Sequence, residues 1–200
     1  HLGSVFAVLG YFRHDILQLL VGWLKNLTQR QTSEDSRLAW LIIIATVPGA
    51  LAGLFANDLV ENYARSGYVI GSTSTLFALL LWYADKRVGP GRSLSELTWR
   101  QALFVGFAQA LALIPGTSRS GITMTAALFC GLTRQAAAKL SFFLAIPIIF
   151  GSFTLRGTEL VNAGAPEGYL LPLAYGVFVS GLVAFACIHY FMLLIERIGF

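Results

Sequence analysis

Long apolar runs separated by short polar breaks dominate this chain, and the runs set its architecture. Leu38–Ala56 is 19 residues without a charge, enough for a membrane-spanning helix, which needs roughly 17–25. Pro48-Gly49 predicts a kink inside it. Tyr68–Ala84 is a second span that closes on Trp82-Tyr83, where an aromatic belt would lie at the membrane surface. Leu140–Leu155, with Pro147 inside it, and Tyr169–Ile195 are two further spans. Leu2–Phe12 offers only 11 residues before Arg13. It is a partial span, so the chain is expected to open on the tail of a helix that starts upstream. Over Arg13–Asn26, Ile16, Leu19, Leu20, Trp23 and Leu24 recur at helical spacing while Arg13, Asp15, Gln18 and Lys25 interrupt them. That pattern suits an amphipathic helix at the interface, or a polar extension of the preceding helix. The breaks at Thr28–Arg37, Asn57–Gly67, Asp85–Leu97, Thr133–Lys139 and Arg156–Gly168 read as loops.

Thr98–Leu132 departs from this rhythm. Its 35 residues are too many for one ordinary span and too few for two spans with a turn. Trp99–Ile114 and Ile122–Leu132 flank a seven-residue break, Pro115-Gly116-Thr117-Ser118-Arg119-Ser120-Gly121. At ~1.5 Å per residue these two arms reach roughly 24 and 16 Å, against a hydrocarbon core of about 30 Å. Pro115 lacks an N–H and Gly116 lets the backbone turn. The predicted element is a re-entrant helical hairpin with the motif at its tip. Such backbone is tolerated at membrane depth only when it is buried in protein or lines a polar cavity. The fold class is therefore all-α, a polytopic integral membrane protein forming one transmembrane domain over residues 1–200.

Composition agrees. The chain is 56% hydrophobic and 12% charged, against about 25% charged in soluble domains. Its net charge of +4 does not argue for nucleic acid, because the basic residues are spread over the polar breaks. Eleven Lys and Arg fall on the side shared by the breaks before residue 38, at 85–100, at 133–139 and after 195; only Arg65 and Arg156 fall opposite. This asymmetry supports a hairpin that enters and leaves on one face, and it places that face in the cytoplasm. Cys130 and Cys187 lie in apolar segments with no His or Asp beside them. They read as small hydrophobes and imply no disulfide or metal site.

The tip carries the chemistry. Arg119 is an ionisable group inside apolar sequence, which is costly and marks a functional site. Its planar fork suits bidentate binding of phosphate. The second arm starts just after it, so Ser120, Gly121 and Ile122 are expected to offer free N–H groups and the positive end of a helix dipole. Ser118 and Ser120 can donate hydroxyl hydrogen bonds or cap that helix. Thr123, one turn beyond Ser120, is expected to face the same pocket. Gly116, Thr117 and Gly121 complete the proposed cradle. Hydrolysis also needs a base, a nucleophile or a metal. The ten carboxylates all fall in breaks or at helix ends. His14 sits in the interfacial stretch, and His189, alone in the last span, reads as a packed residue. The tip thus supplies an anion site without an evident acid–base partner.

The segment Gln109-Ala-Leu-Ala-Leu-Ile-Pro-Gly-Thr-Ser-Arg-Ser-Gly-Ile-Thr123 resembles the P-G-x-S-R-S-x-x-T signature of the bacterial undecaprenyl-pyrophosphate phosphatase family, the bacitracin-resistance type. Pro115, Gly116, Ser118, Arg119, Ser120 and Thr123 match it. Leu2-Gly-Ser-Val-Phe-Ala-Val, Thr46-Val-Pro-Gly and Ser141-Phe-Phe-Leu-Ala-Ile-Pro are similar to the family as well. The resemblance implies an inverted-repeat membrane fold with two re-entrant hairpins. It also implies removal of the terminal phosphate from a C55 polyprenyl pyrophosphate, which recycles the lipid carrier of cell-wall synthesis. Arg119 would clamp transition-state charge and Ser118 would be the second catalytic residue. Gly116, Thr117, Ser120, Gly121 and Thr123 would bind substrate. The family's glutamate-rich first signature, E-G-x-T-E-F-L-P-V-S-S-T-G-H, has no counterpart here and is expected upstream of His1. A divalent cation, Mg2+ or Ca2+, is implied by the resemblance, with ligands outside this chain and no metal site within it. Expected partners are the polyprenyl pyrophosphate, the bilayer of a bacterial inner membrane and a second copy of the chain, with no nucleic acid. The rival reading is a polyprenyl-phosphate flippase or anion transporter, since broken helices meeting at mid-membrane are also a transporter device.

Overall fold

The computed structural model describes residues 2–55, 66–163, 168, 170–195, 197–198 and 200. All regular structure among them is helical: α1 (Leu2–Tyr11), α2 (Arg13–Gln29), α3 (Glu34–Phe55), α4 (Gly67–Lys86), α5 (Trp99–Ala110), α6 (Arg119–Phe129), α7 (Arg134–Ala163) and α8 (Leu170–Leu194). Short 3-10 turns at Leu94–Glu96 and Leu111–Leu113 precede and follow α5. Four helical stretches are long and apolar enough to cross a membrane: Glu34–Phe55, Gly67–Lys86, Arg134–Thr154 and Leu171–Leu194. The protein is thus an all-α, multi-pass membrane protein.

The spans lie where the apolar runs put them, but the helices overrun the runs. The expected loop at Thr28–Arg37 shrinks to residues 30–33, because α2 runs on to Gln29 and α3 starts at Glu34. Ser33 and Ser36 make this early start possible. Each backbone N–H donates to the other's hydroxyl, at 2.9 and 3.1 Å, so two orphan donors of the first turn are satisfied. The expected connector Thr133–Lys139 is helical from Arg134 as the start of α7, and the expected loop from Arg156 is helical as far as Ala163. Polar residues at helix ends still favour helix once the apolar body nucleates it. Pro48 and Pro147 both lie inside continuous helices. The turn expected at Asn57–Gly67 lies outside the described residues up to Arg65. At the N-terminal end, α1 and α2 meet at a bend of 84°, so α2 is a separate helix and not an extension of α1.

α5 and α6 form a helical hairpin that is closed at its base. Arg92 N–H donates to Gly131 O at 2.8 Å, and Thr133 N–H donates to Arg92 O at 3.0 Å. The residue entering the hairpin therefore lies beside the residues leaving it. Gln101, in the first turn of α5, donates to Cys130 O just past the end of α6 (3.1 Å). The arms have 12 and 11 residues, or about 18 and 16 Å at 1.5 Å rise, so each is shorter than a hydrocarbon core of about 30 Å. Gly106 seats the first arm: a Cβ there would lie 2.5 Å from the Ala45 carbonyl oxygen of α3. The second arm packs on α4 and α7. A core of Ala45, Ala102, Val105, Ala127, Leu140 and Leu144, each fully enclosed, locks the hairpin between its neighbours.

Candidate active site

The break between the arms is held at both ends. Ile114 O accepts the Thr117 N–H (3.1 Å), and Gly116 sits at φ +92°, a conformation that favours glycine. A side chain at Gly116 would also run into Ile70 O and Thr73 Oγ1 of α4. The second arm begins at Arg119, three residues before the start expected from Ile122. Ser118 is its N-cap, with an extended backbone and a hydroxyl that accepts the Gly121 N–H at 3.2 Å. Ile122 N–H donates to Ser118 O at 2.9 Å. This corrects the expected donor set: Gly121 and Ile122 are already bonded. Among the described residues the N–H groups of Ser118, Arg119 and Ser120, around the start of α6, are without a recorded partner, as is that of Gly116 in the break. Capping by Ser118 shifts the free donors two residues toward the break.

Arg119 is half-buried and points into a cavity of about 410 Å³ between α1, α6, α7 and α8. Ser4, Ser120, Ser141 and Cys187 are the other polar side chains in that lining; the rest, such as Val8, Phe142, Ile149 and Phe191, is apolar. Among the described residues Arg119 makes no ion pair and its guanidinium makes no hydrogen bond. A guanidinium among apolar walls is otherwise satisfied by partners, so its five donors are available to a ligand.

The remaining motif residues divide into three groups. Ser118 and Ser120 are exposed, and their hydroxyls lie 3.3 Å apart. Among the described residues Ser120 is the one side chain recorded beside the Ser118 hydroxyl, and neither residue is a base. Thr123 turns away from the cavity expected for it. It is 2% exposed and donates to Ser141 Oγ at 2.8 Å, with Arg119 O and Ser120 O at 2.9 and 3.0 Å. It braces the first turn of α6 against α7. Thr117 Oγ1 is enclosed without a hydrogen-bond partner. Sequence reasoning missed Ser141, which lines the cavity from α7, and it missed two α4 hydroxyls. Thr73 donates to Pro115 O at 2.7 Å and Ser74 to Gly116 O at 2.9 Å. The available signal was the run Ser72-Thr73-Ser74-Thr75 inside an apolar span.

His189 is exposed on the outer side of α8, its ring against Tyr11 and Tyr190. Among the described residues no three His, Cys, Asp or Glu side chains converge. The Arg119 cavity has no carboxylate in its lining. These residues do not fit a divalent cation.

A sequence model described as bacitracin resistance protein BacA matches residues 1–200. The chain belongs to the BacA family. A relative from Teredinibacter turnerae (strain ATCC 39867 / T7901), named undecaprenyl-diphosphatase, is 47% identical over 199 residues, covering 100% of this chain and 75% of its own length. In this BacA-family chain the tip of the broken helix pair thus gathers an unpaired arginine, free backbone N–H groups and an apolar cavity wall.

Proposed function

We infer that the protein hydrolyses undecaprenyl pyrophosphate to undecaprenyl phosphate and inorganic phosphate, recycling a lipid carrier of bacterial cell-wall synthesis. The observation that carries this reading is the unpaired Arg119 guanidinium beside three free backbone N–H groups, held against a mostly apolar cavity in a chain similar to an undecaprenyl-diphosphatase. The substrate has a polar pyrophosphate on an apolar tail. A cavity with one charged end and apolar walls matches both parts. As the bond to the terminal phosphorus breaks, negative charge grows on the phosphoryl and leaving oxygens. Donors already aimed at that charge stabilise it without reorganising. Arg119 supplies a planar fork for two oxygens, while Ser118, Arg119 and Ser120 supply N–H groups at the positive end of α6. Thr123 and Ser141 keep that first turn in place, and the exposed hydroxyls of Ser118 and Ser120 are further donors. The excess of Lys and Arg at the hairpin base supports a bacterial inner membrane with that base in the cytoplasm.

Phosphate release from a polyprenyl pyrophosphate in detergent tests the reading, because micelles leave nothing to transport across. Arg119→Ala is expected to lower kcat/KM by about 100-fold or more, with an unchanged unfolding midpoint. Arg119→Lys recovers little, since a point charge replaces a fork. Parent-like turnover by Arg119→Ala would overturn the assignment.

A further inference from the structure

We propose that Ser74 and Thr73 of α4 are positioning residues that fix the two peptide planes at the hairpin tip and so aim its donors at phosphate. Pro115 O and Gly116 O lie past the last turn of the first arm. Neither accepts a backbone N–H among the described residues. In a membrane interior such carbonyls need a donor. The donors come from two successive hydroxyls on another helix, Thr73 to Pro115 O (2.7 Å) and Ser74 to Gly116 O (2.9 Å).

The consequence is directional. N–H and C=O point opposite ways in a trans peptide. With Pro115 O turned toward α4, the Gly116 N–H points away from it. The Gly116–Thr117 plane is fixed at both ends, its oxygen by Ser74 and its N–H by Ile114 O. Gly116 at φ +92° has no Cβ to resist rotation, so these two hydrogen bonds are what hold the plane against flipping. A flip would turn a carbonyl dipole toward the anion and displace the Ser118 cap that follows. The two hydroxyls differ in strength. Thr73 Oγ1 is also 2.7 Å from Val69 O and has one proton to divide, whereas Ser74 is recorded with Gly116 O alone. Ser74 is therefore the stronger clasp. Thr75, next on the same helix, bonds its own Gly71 O and provides the control.

The proposal rests on the phosphatase reading only for its turnover measurement. Two quantities are measured on the detergent-solubilised protein: kcat and KM for a polyprenyl pyrophosphate, and the Kd for inorganic pyrophosphate by calorimetry. Ser74→Ala with Thr73→Val is expected to lower kcat/KM and raise the pyrophosphate Kd by about tenfold each, since misplaced donors lose a tip geometry of this kind. The unfolding midpoint should stay near the parent's. Thr73→Ser with Ser74 intact keeps both hydroxyls and stays near the parent, and Thr75→Val behaves as the parent. Where the double variant unfolds early, Ser74→Ala alone carries the test. Parent-like kcat/KM and Kd in the Ser74 variants would overturn the proposal, as would an equal loss in Thr75→Val. A parent that binds pyrophosphate but releases no phosphate would sink the phosphatase reading and leave the Kd series to decide this one. A parent that does neither would overturn both.

Discussion

Three arginines at the two ends of the hairpin behave in opposite ways. At the base, Arg92 donates to Cys130 O at 2.7 Å, and Arg134 grips Asp85 with Nε to Oδ1 at 2.6 Å and Nη2 to Oδ2 at 3.1 Å. Gln101 adds a second donor to Cys130 O. Arg92, Gln101, Arg134 and Asp85 at the hairpin's entrance are all committed to partners. At the tip, 27 positions from Arg92 and 15 from Arg134, Arg119 has no partner among the described residues and three N–H groups beside it are free. A protein that needed Arg119 only for folding would satisfy it as it satisfies the other two. The contrast separates structure from function: the base is saturated so that the tip can stay unsatisfied and still be held in place.

Gly116→Val should break this division most severely. The new side chain would meet Ile70 O and Thr73 Oγ1 from a backbone at φ +92°. The clash is against helix backbone, which cannot yield as a flexible side chain can. A loss of about 3 kcal/mol or more is expected, read as a lower denaturation midpoint in detergent, with turnover lost as well. A stable, active Gly116→Val would mean that α4 does not press on the tip.

A smaller effect is expected at the base, and it should touch stability alone. Asp85 is 8% exposed, so Arg134→Met leaves an enclosed carboxylate without its fork. Unpaired buried charges are costly, but Arg134 itself is one-third exposed (33% of its side chain) and water screens part of the pair. The expected loss is about 1–2 kcal/mol. Adding Asp85→Asn should recover part of it, a coupling that a double-mutant cycle measures directly. KM should not move in either variant. A KM that rose with Arg134→Met would show that base and tip are not separable.

The spans and the hairpin were legible in the sequence because membrane depth converts apolar run length into helix length. The seven-residue break was legible because Pro115, Gly116 and Arg119 contradict their flanks. Helix ends were less so. Ser33 with Ser36 and Ser118 with Gly121 start helices earlier than the apolar runs do, and a polar residue that caps looks like one that sits in a loop. The start of α6 mattered most, since moving it from Ile122 to Arg119 changed which N–H groups are free. Thr73, Ser74 and Ser141 were not assigned because their roles depend on partners 42, 42 and 18 positions away, and spacing along one helix carries no record of such pairs. Thr123 was placed in the pocket by its one-turn distance from Ser120, yet α7 packs close enough to claim it.

That last residue gives the finest test of the contrast. Thr123 belongs to the signature at the tip, but its surroundings resemble the base: enclosed, and bonded to Ser141 at 2.8 Å. Thr123→Val keeps the shape and removes the hydroxyl, leaving Ser141 to find another partner. Ser120 O, 3.5 Å away, is within reach, so the cost should be about 1 kcal/mol of stability. Turnover should fall modestly through kcat, with the pyrophosphate Kd little changed, because Thr123 steadies the first turn of α6 without touching the ligand. Ser141→Ala should reproduce the stability loss, and the pair should be strongly non-additive. If Thr123→Val instead weakens pyrophosphate binding as much as Arg119→Ala does, its hydroxyl reaches substrate and α7 must move to release it.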